Sequence, residues 1–150
     1  MKVVCSNRKA KKNYHIDETM EAGISLVGTE VKALRGGMAH LQDAYASVEN
    51  GELFLYNAHI SPYEMGNIYN HEPKRTRKLL MHKKEIRRLV GKIQQKGYTL
   101  VPLSFYFNDA GIVKVELALA KGKKAYDKRR EIAERDARRE MQREAKYKDY

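Results

Sequence analysis

The chain has 150 residues, which suits one domain plus an appendage, and 42% of them are hydrophobic. The 30 Lys and Arg against 19 Asp and Glu leave a net charge of +11, which points to a polyanionic partner, nucleic acid or an anionic membrane. A disulfide framework is excluded by the single Cys5, no apolar run approaches the roughly 20 residues that span a bilayer, and the basic stretch Met1 to Lys12 lacks the apolar segment of a signal peptide, so a cytoplasmic protein without membrane contact is expected.

In chain order, residues 1–13 read as a flexible basic arm, with Val3 and Val4 able to pair at a sheet edge. From Tyr14 the pattern becomes strand-like: Tyr14, Ile16 and Glu18 share one side, Ile24, Leu26 and Val27 follow, and Gly23 and Gly28 mark bends or bulges. Thr29 to Arg35 predicts a short helix, with Thr29 capping its start, Val31 and Leu34 on one face, and Gly36-Gly37 ending it. Ala44 to Val48 and Leu53 to Ile60 predict a hairpin around Asn50-Gly51, since both turn residues tolerate positive φ. Ser61 to Pro73 reads as a loop. A helix follows over Lys83 to Lys96, where Ile86, Leu89, Val90 and Ile93 form one apolar stripe and Gly97 closes the last turn. Tyr98 to Phe107 and Ile112 to Ala120 predict a second hairpin, with Val113, Val115, Leu117 and Leu119 alternating with Lys114, Glu116 and Ala118. About six short strands with turn signals between them predict a mainly β fold with short helices, closed into an OB-like antiparallel barrel.

The composition changes at Lys121, which divides the chain into a barrel domain, 1–120, and a basic tail, 121–150. The tail carries +5 of the net charge in one fifth of the length. Its residues are good helix formers, and Glu131–Arg135 and Glu134–Arg138 are favourable i, i+4 pairs. Its apolar line is thin: Ala133, Ala137, Met141 and Ala145, helped by Ile132. So few buried methyl groups do not offset about 1–2 kcal/mol of backbone entropy per residue, so a tail that folds on a binding surface is expected, against the alternative of a permanent exposed helix.

Nothing in the chain has the spacing of a catalytic or metal site. The five histidines stand in no ligand pattern with one another or with Cys5, and no nucleophile elbow, phosphate loop or dinucleotide fingerprint occurs, so no cofactor and no enzymatic activity are expected. What stands out is a cationic run, Lys74, Arg75, Arg77, Lys78, Lys83, Lys84, Arg87, Arg88 and Lys92, with Glu85 as the only acid after Lys74. Such runs are often solvated helix faces. This one begins in a non-helical stretch beside predicted barrel strands, where arginine forks and lysine point charges suit phosphate and His82 can stack on a base.

Several blocks resemble the SmpB family of tmRNA-binding proteins. They are Met20 to Leu26, Gly28 to Arg35, Arg75-Thr76-Arg77-Lys78-Leu79-Leu80 with Lys83 to Ile86, Tyr98 to Leu103, Ala120 to Lys124, and Asp127-Lys128-Arg129. They run in order over nearly the whole chain. The resemblance implies a protein that binds transfer-messenger RNA (tmRNA) and brings it to ribosomes stalled without a stop codon, so that the incomplete peptide is tagged and the ribosome freed. It implies an oligonucleotide-binding barrel that grips the tRNA-like part of the RNA. It further implies a tail that is unstructured alone and becomes helical in the empty mRNA channel beside the decoding centre. The implied partners are tmRNA, the ribosome, and elongation factor Tu on the alanyl-tmRNA complex; the protein itself is expected to be a monomer.

Residue by residue, the resemblance assigns tmRNA binding to Asn7, Glu21, Leu80, His82 and Lys114, with Arg75, Arg77 and Lys78 as phosphate contacts beside them. It assigns Gly122-Lys123-Lys124 and Asp127-Lys128-Arg129 to tagging on the ribosome and Tyr126 to stacking in the decoding centre. His82 stands where some members carry Asn, and Tyr126 where some carry His. The plainer reading of Leu80 is barrel core, because leucines are usually buried. Glu21, an acid in a basic site, either orders a neighbouring cation or bonds a base edge. Lys114, between Val113 and Val115, is expected on the exposed face. Two rivals stay on the table: a structural ribosomal protein with a basic tail, and an RNA-processing enzyme, which would need clustered acids or a metal site.

Overall fold

The computed structural model describes residues 1–63 and 70–122, with the backbone alone for Gln95 and Lys96. The tail positions Lys123, Lys124, Tyr126, Asp127, Lys128 and Arg129 lie outside the described residues. The elements are β1 (Lys2–Ser6), α1 (Arg8–Asn13), β2 (Tyr14–Ile24), α2 (Gly28–Arg35), β3 (Ala39–His40), β4 (Tyr45–Glu49), β5 (Glu52–Tyr56), β6 (His59–Ile60), β7 (Arg77–Leu80), α3 (Lys83–Lys96), β8 (Thr99–Phe107) and β9 (Val113–Gly122).

The main sheet runs β1-β8-β4-β5-β7-β2-β9, all antiparallel, and β9 also pairs with β8. That last pairing closes six strands into a barrel, as the turn-rich strand pattern predicts. One edge of β8 is divided between two partners: β4 meets it at Leu100, and β1 meets it from Ser104 to Phe107. β3 and β6 form a separate two-stranded ribbon.

The hairpin turns follow the residue chemistry. Asn50 and Gly51 both take positive φ (53° and 78°), as a two-residue turn between β4 and β5 requires, and Gly97 ends α3 in the left-handed region. Inward positions alternate along each strand: Val113, Val115, Leu117 and Leu119 on β9 meet Leu53 and Leu55 on β5 and Leu79 on β7 in one core. α2 adds Ala33 and Leu34 to that core, and α3 adds Ile86 and Leu89. A second, smaller cluster lies outside the barrel, where Ala10 of α1 covers Val101, Leu103, Ala118 and Ala120.

Five expectations are corrected. The first 13 residues are β1 and α1 rather than a flexible arm, because Val4 and Cys5 pack on the core and β1 completes the edge of β8. The Leu53 to Ile60 run is two strands, since Asn57 adopts φ 61° and turns the chain between them. The cap of α2 falls at Val27, whose N–H donates to the Glu30 carboxylate at 2.9 Å; Thr29 instead gives its hydroxyl to His71 Nδ1 at 2.8 Å, while His71 Nε2 donates to the Ile60 carbonyl. A bulge between Ile16 and Glu18 breaks their common side, so that Ile16 pairs with Ala120 and Glu18 with the inward Leu119. Finally, β9 runs to Gly122, which pairs with Tyr14, so Lys121 and Gly122 continue the barrel's last strand.

Candidate nucleic-acid interface

Strand register assembles one outward-facing row. Tyr106 on β8 stands opposite Lys114 on β9, Lys114 opposite Gly23 on β2, and Gly23 opposite Leu80 on β7. The next row holds Ser104, Glu116 and Glu21 across the first three of these four strands, β8, β9 and β2. His82 and Glu85 come to the rim from the start of α3. Glu21, Gly23, Leu80, Met81, His82, Glu85 and Lys114 line a hollow of about 450 Å³. Four of the residues singled out in the sequence, Glu21, Leu80, His82 and Lys114, are thus brought together from three strands and a helix start.

Leu80 corrects its plainer reading. It is 52% exposed and forms part of the hollow's wall, because β7 alternates and it is Leu79 that points into the core. Gly23 lets the two strands approach: a Cβ there would lie 3.2 Å from the Leu80 Cβ. Glu21 is exposed, and its carboxylate accepts a hydrogen bond from the Tyr106 hydroxyl; the neighbouring Glu116 accepts one from Ser104 at 3.2 Å. Burial, and then the Glu21 carboxylate, push the Tyr106 phenol well above its ordinary pKa, so it stays a donor. Tyr106 and Gly23 are parts of this site that the sequence reading missed. The signal for Tyr106 was its place opposite Lys114 in the second hairpin, which register alone supplies.

Two of the expected RNA contacts, Asn7 and Arg77, are buried and bonded within the barrel. The Asn7 side chain is 4% exposed and fully used: its Oδ1 accepts from the Ala10 N–H, capping α1, and its Nδ2 donates to the carbonyls of Leu41 and Pro102 at 3.0 Å each. Arg77 is 0% exposed, because it shares the inward parity of Leu79. Its guanidinium bonds Glu30 through Nε, the Ala58 carbonyl at 2.8 Å, the Arg75 carbonyl at 3.0 Å and the Pro73 carbonyl at 3.1 Å. Arg75 is partly exposed and also reaches Glu30, at 2.6 Å. Lys78 faces outward with Leu80, 3.3 Å from Glu52.

The cationic run is therefore not one patch. Arg88 makes a bidentate pair with Glu18 (2.6 and 3.0 Å) and Lys92 joins it at 2.8 Å, tying α3 to β2. Among the described residues no ion pair holds Lys83, Lys84 or Arg87. Lys83 and Arg87 line a second groove, about 610 Å³, between α3 and the Asn50-Gly51 turn. Among the described residues no group of three or more His, Cys, Asp or Glu is placed to hold a metal ion, and no helix is long and apolar enough to cross a membrane.

Fold and site together define a class: a small closed antiparallel barrel whose surface hollow offers a hydrophobic wall, an imidazole, carboxylates and an amine. A family model described as "SmpB protein" matches residues 4–147. An SsrA-binding protein of Desulforamulus reducens is 66% identical over 142 residues, 95% of this chain and 88% of the relative. Another, from Pelotomaculum thermopropionicum, is 65% identical over 146 residues, 97% and 95% of the two chains. Among solved structures, a chain from "tmRNA-SmpB: a journey to the center of the bacterial ribosome" superposes with a TM-score of 0.70 at 57% identity, covering 85% of this chain and 89% of its own. This chain belongs to the SmpB family.

Proposed function

We propose that this chain binds tmRNA and delivers it to stalled ribosomes for trans-translation, acting as a positioning protein without cofactor or catalysis of its own. The observation that carries this reading is the convergence of Glu21, Leu80, His82 and Lys114 on one hollow, from segments almost a hundred residues apart in the chain. It agrees with relatives named for SsrA binding and with a solved tmRNA–SmpB likeness over most of the chain. The barrel grips the tRNA-like part of the RNA. Lys78, Lys83, Lys84, Arg87 and Lys114 supply the phosphate contacts, with Arg75 at their edge, and Asn7 and Arg77 act by holding the barrel's shape. Gly122 to Arg129 and the rest of the basic tail engage the decoding centre and the empty mRNA channel. The protein works in the cytoplasm as a monomer, and the alanylated RNA it carries is the form that elongation factor Tu holds.

The test is binding of full-length tmRNA in a filter assay across a salt series. Each phosphate neutralised contributes about −0.7 to −0.9 to the log–log slope. Lys114→Glu weakens binding strongly, and it also flattens that slope by about one phosphate. A protein that held tmRNA no more tightly than an unrelated RNA of equal length would overturn the reading.

A further inference from the structure

The last two residues of β9 are paired from one side. Lys121 and Gly122 stand opposite His15 and Tyr14 on β2, but the β8–β9 register stops at Thr99 and Ala120. Gly122 brings no side chain to that end, and a strand terminus paired along one edge frays readily. What meets it from the β8 side is an aromatic ring. Lys121 Nζ lies over the face of Tyr98, 4.7 Å from the ring centroid. Tyr98 is itself well supported. Gly97 turns the chain out of α3 at φ 67°, and Tyr98, the next residue, packs on the barrel core and lines a groove with Val90 and Ile93 of α3. The ring thus stands between the helix and the end of β9.

We infer that Tyr98 is a positioning residue for the tail: by holding the Lys121 ammonium, its ring keeps β9 paired as far as Gly122 and so sets the point and direction from which the chain leaves the barrel. The negative ring face attracts the ammonium, and both side chains are half-buried, which keeps water from one side of the contact. The ring face is what matters; the phenol hydroxyl is not needed. A tethered segment reaches its target at an effective concentration set by where the tether starts and how long it is. Fraying back to Ala120 adds two residues to the tether, about 3.3 Å each, and loses the direction that the strand imposes. The inference rests on the proposed ribosome-engaging role of the tail and adds to it a residue that lies outside the tail.

The test is peptide tagging in a reconstituted translation reaction on a message lacking a stop codon, with each full-length variant saturated with tmRNA. Tyr98→Leu removes the ring face, and Lys121→Met removes the charge but keeps a long side chain. A surface contact of this kind shifts its equilibrium about two- to fivefold, so each variant lowers the tagging rate by up to about fivefold. The double variant falls no further, because both changes break one contact. Tyr98→Phe and Lys121→Arg tag near the wild-type rate. Hydrogen exchange over residues 119–122 quickens in the two deficient variants, while tmRNA affinity at high salt stays within about twofold of wild type. A merely structural role for Tyr98 in the core would instead lower the melting temperature and tmRNA affinity of Tyr98→Leu and leave Lys121→Met tagging normally. The inference is overturned if Tyr98→Leu tags at the wild-type rate, or if Tyr98→Phe tags no better than Tyr98→Leu. Should Tyr98→Leu fail to fold, unchanged exchange over residues 119–122 in Lys121→Met overturns it. A wild-type protein that holds tmRNA but tags nothing sinks the tail's proposed role, and this inference with it.

Discussion

Glu30 is wholly buried, and three donors meet its carboxylate: the Val27 N–H, Arg75 Nη2 and Arg77 Nε. Burial alone would raise its pKa, but the bonds from Arg75 and Val27 and the charge and bond of Arg77 outweigh it and hold the carboxyl below the usual carboxylate range. Removing the acid leaves the buried Arg77 guanidinium without its counter-charge, although its three carbonyl partners remain. Glu30→Ala should therefore cost about 3–5 kcal/mol, read as a lowered unfolding midpoint in urea, and adding Arg77→Met should recover part of the loss by removing the orphaned charge. The sign with pH follows from the lowered pKa. The stabilisation is complete above the ordinary carboxyl pKa of 4.5 and drains away as the pH falls toward the folded-state value. A midpoint unchanged between pH 7 and pH 3 would contradict this. The same residues show what composition hides. Arg77 and Lys78 look alike in a list of cations, yet Arg77 shares the inward parity of Leu79 and Lys78 the outward parity of Leu80. Strand parity was readable in the sequence; which parity faced the core was not, and the plainer reading put Leu80 inside where the structure has Leu79. Asn7 was assigned to RNA by resemblance alone, and the N-cap it makes in the structure uses the same amide atoms that a base contact would.

At the level of elements, the bulge between Ile16 and Glu18 turns an ordinary surface acid toward the helix. Glu18 there meets Arg88 and Lys92, one helical turn apart on α3, and their hydrogen bonds hold its carboxyl down at about 2. The group is partly solvated, so screening limits the stabilisation to about 0.2–1 kcal/mol despite the good geometry. Glu18→Gln should lower the thermal midpoint slightly at pH 7. The gap from wild type should begin to narrow below pH 4.5, vanish as the pH passes through about 2, and shrink in high salt. Hydrogen exchange should place the loss in the amides of α3. A gap indifferent to both salt and pH would mean that Arg88 and Lys92 hold the helix by packing instead. The elements themselves were largely legible. The stripe Ile86, Leu89, Val90, Ile93, the Asn50-Gly51 turn and the Gly97 stop each state a local backbone preference, and the fold obeys them. The misplaced features depend on partners far away in sequence. β1 is a strand only because β8 has a vacant edge from Ser104 onward, and Glu30 rather than Thr29 serves the start of α2 because Thr29 is drawn to His71.

Across the whole molecule, charge and architecture divide at different places. The excess positive charge rises from Lys121, but the barrel closes only at Gly122, where β9 still pairs with β2 at Tyr14 and His15. Residues 121–150 hold +5 of the +11 and the rest of the chain +6, and the proposed function gives the grip on the folded RNA to the barrel's share. The two binding tasks should therefore separate in one chain. A protein stopped after Gly122 keeps every strand pair of β9, so its melting temperature should match that of the full chain. Its tmRNA affinity should fall only by the salt-sensitive share of non-specific attraction, and that difference should disappear at high salt. Alanine at Asp127, Lys128 and Arg129 should leave filter binding of tmRNA within a few-fold of wild type. Both proteins should fail to tag peptide in a reconstituted translation reaction programmed with a message lacking a stop codon. Stopping at Ala120 instead removes the pairings of Lys121 with His15 and Gly122 with Tyr14, along with the cation–π contact of Lys121 on Tyr98 at 4.7 Å, and should cost stability as well. If the chain ended at Gly122 lost tmRNA at every salt concentration, the barrel would not be a self-sufficient RNA grip, and the tail would have to be counted as part of the first binding site.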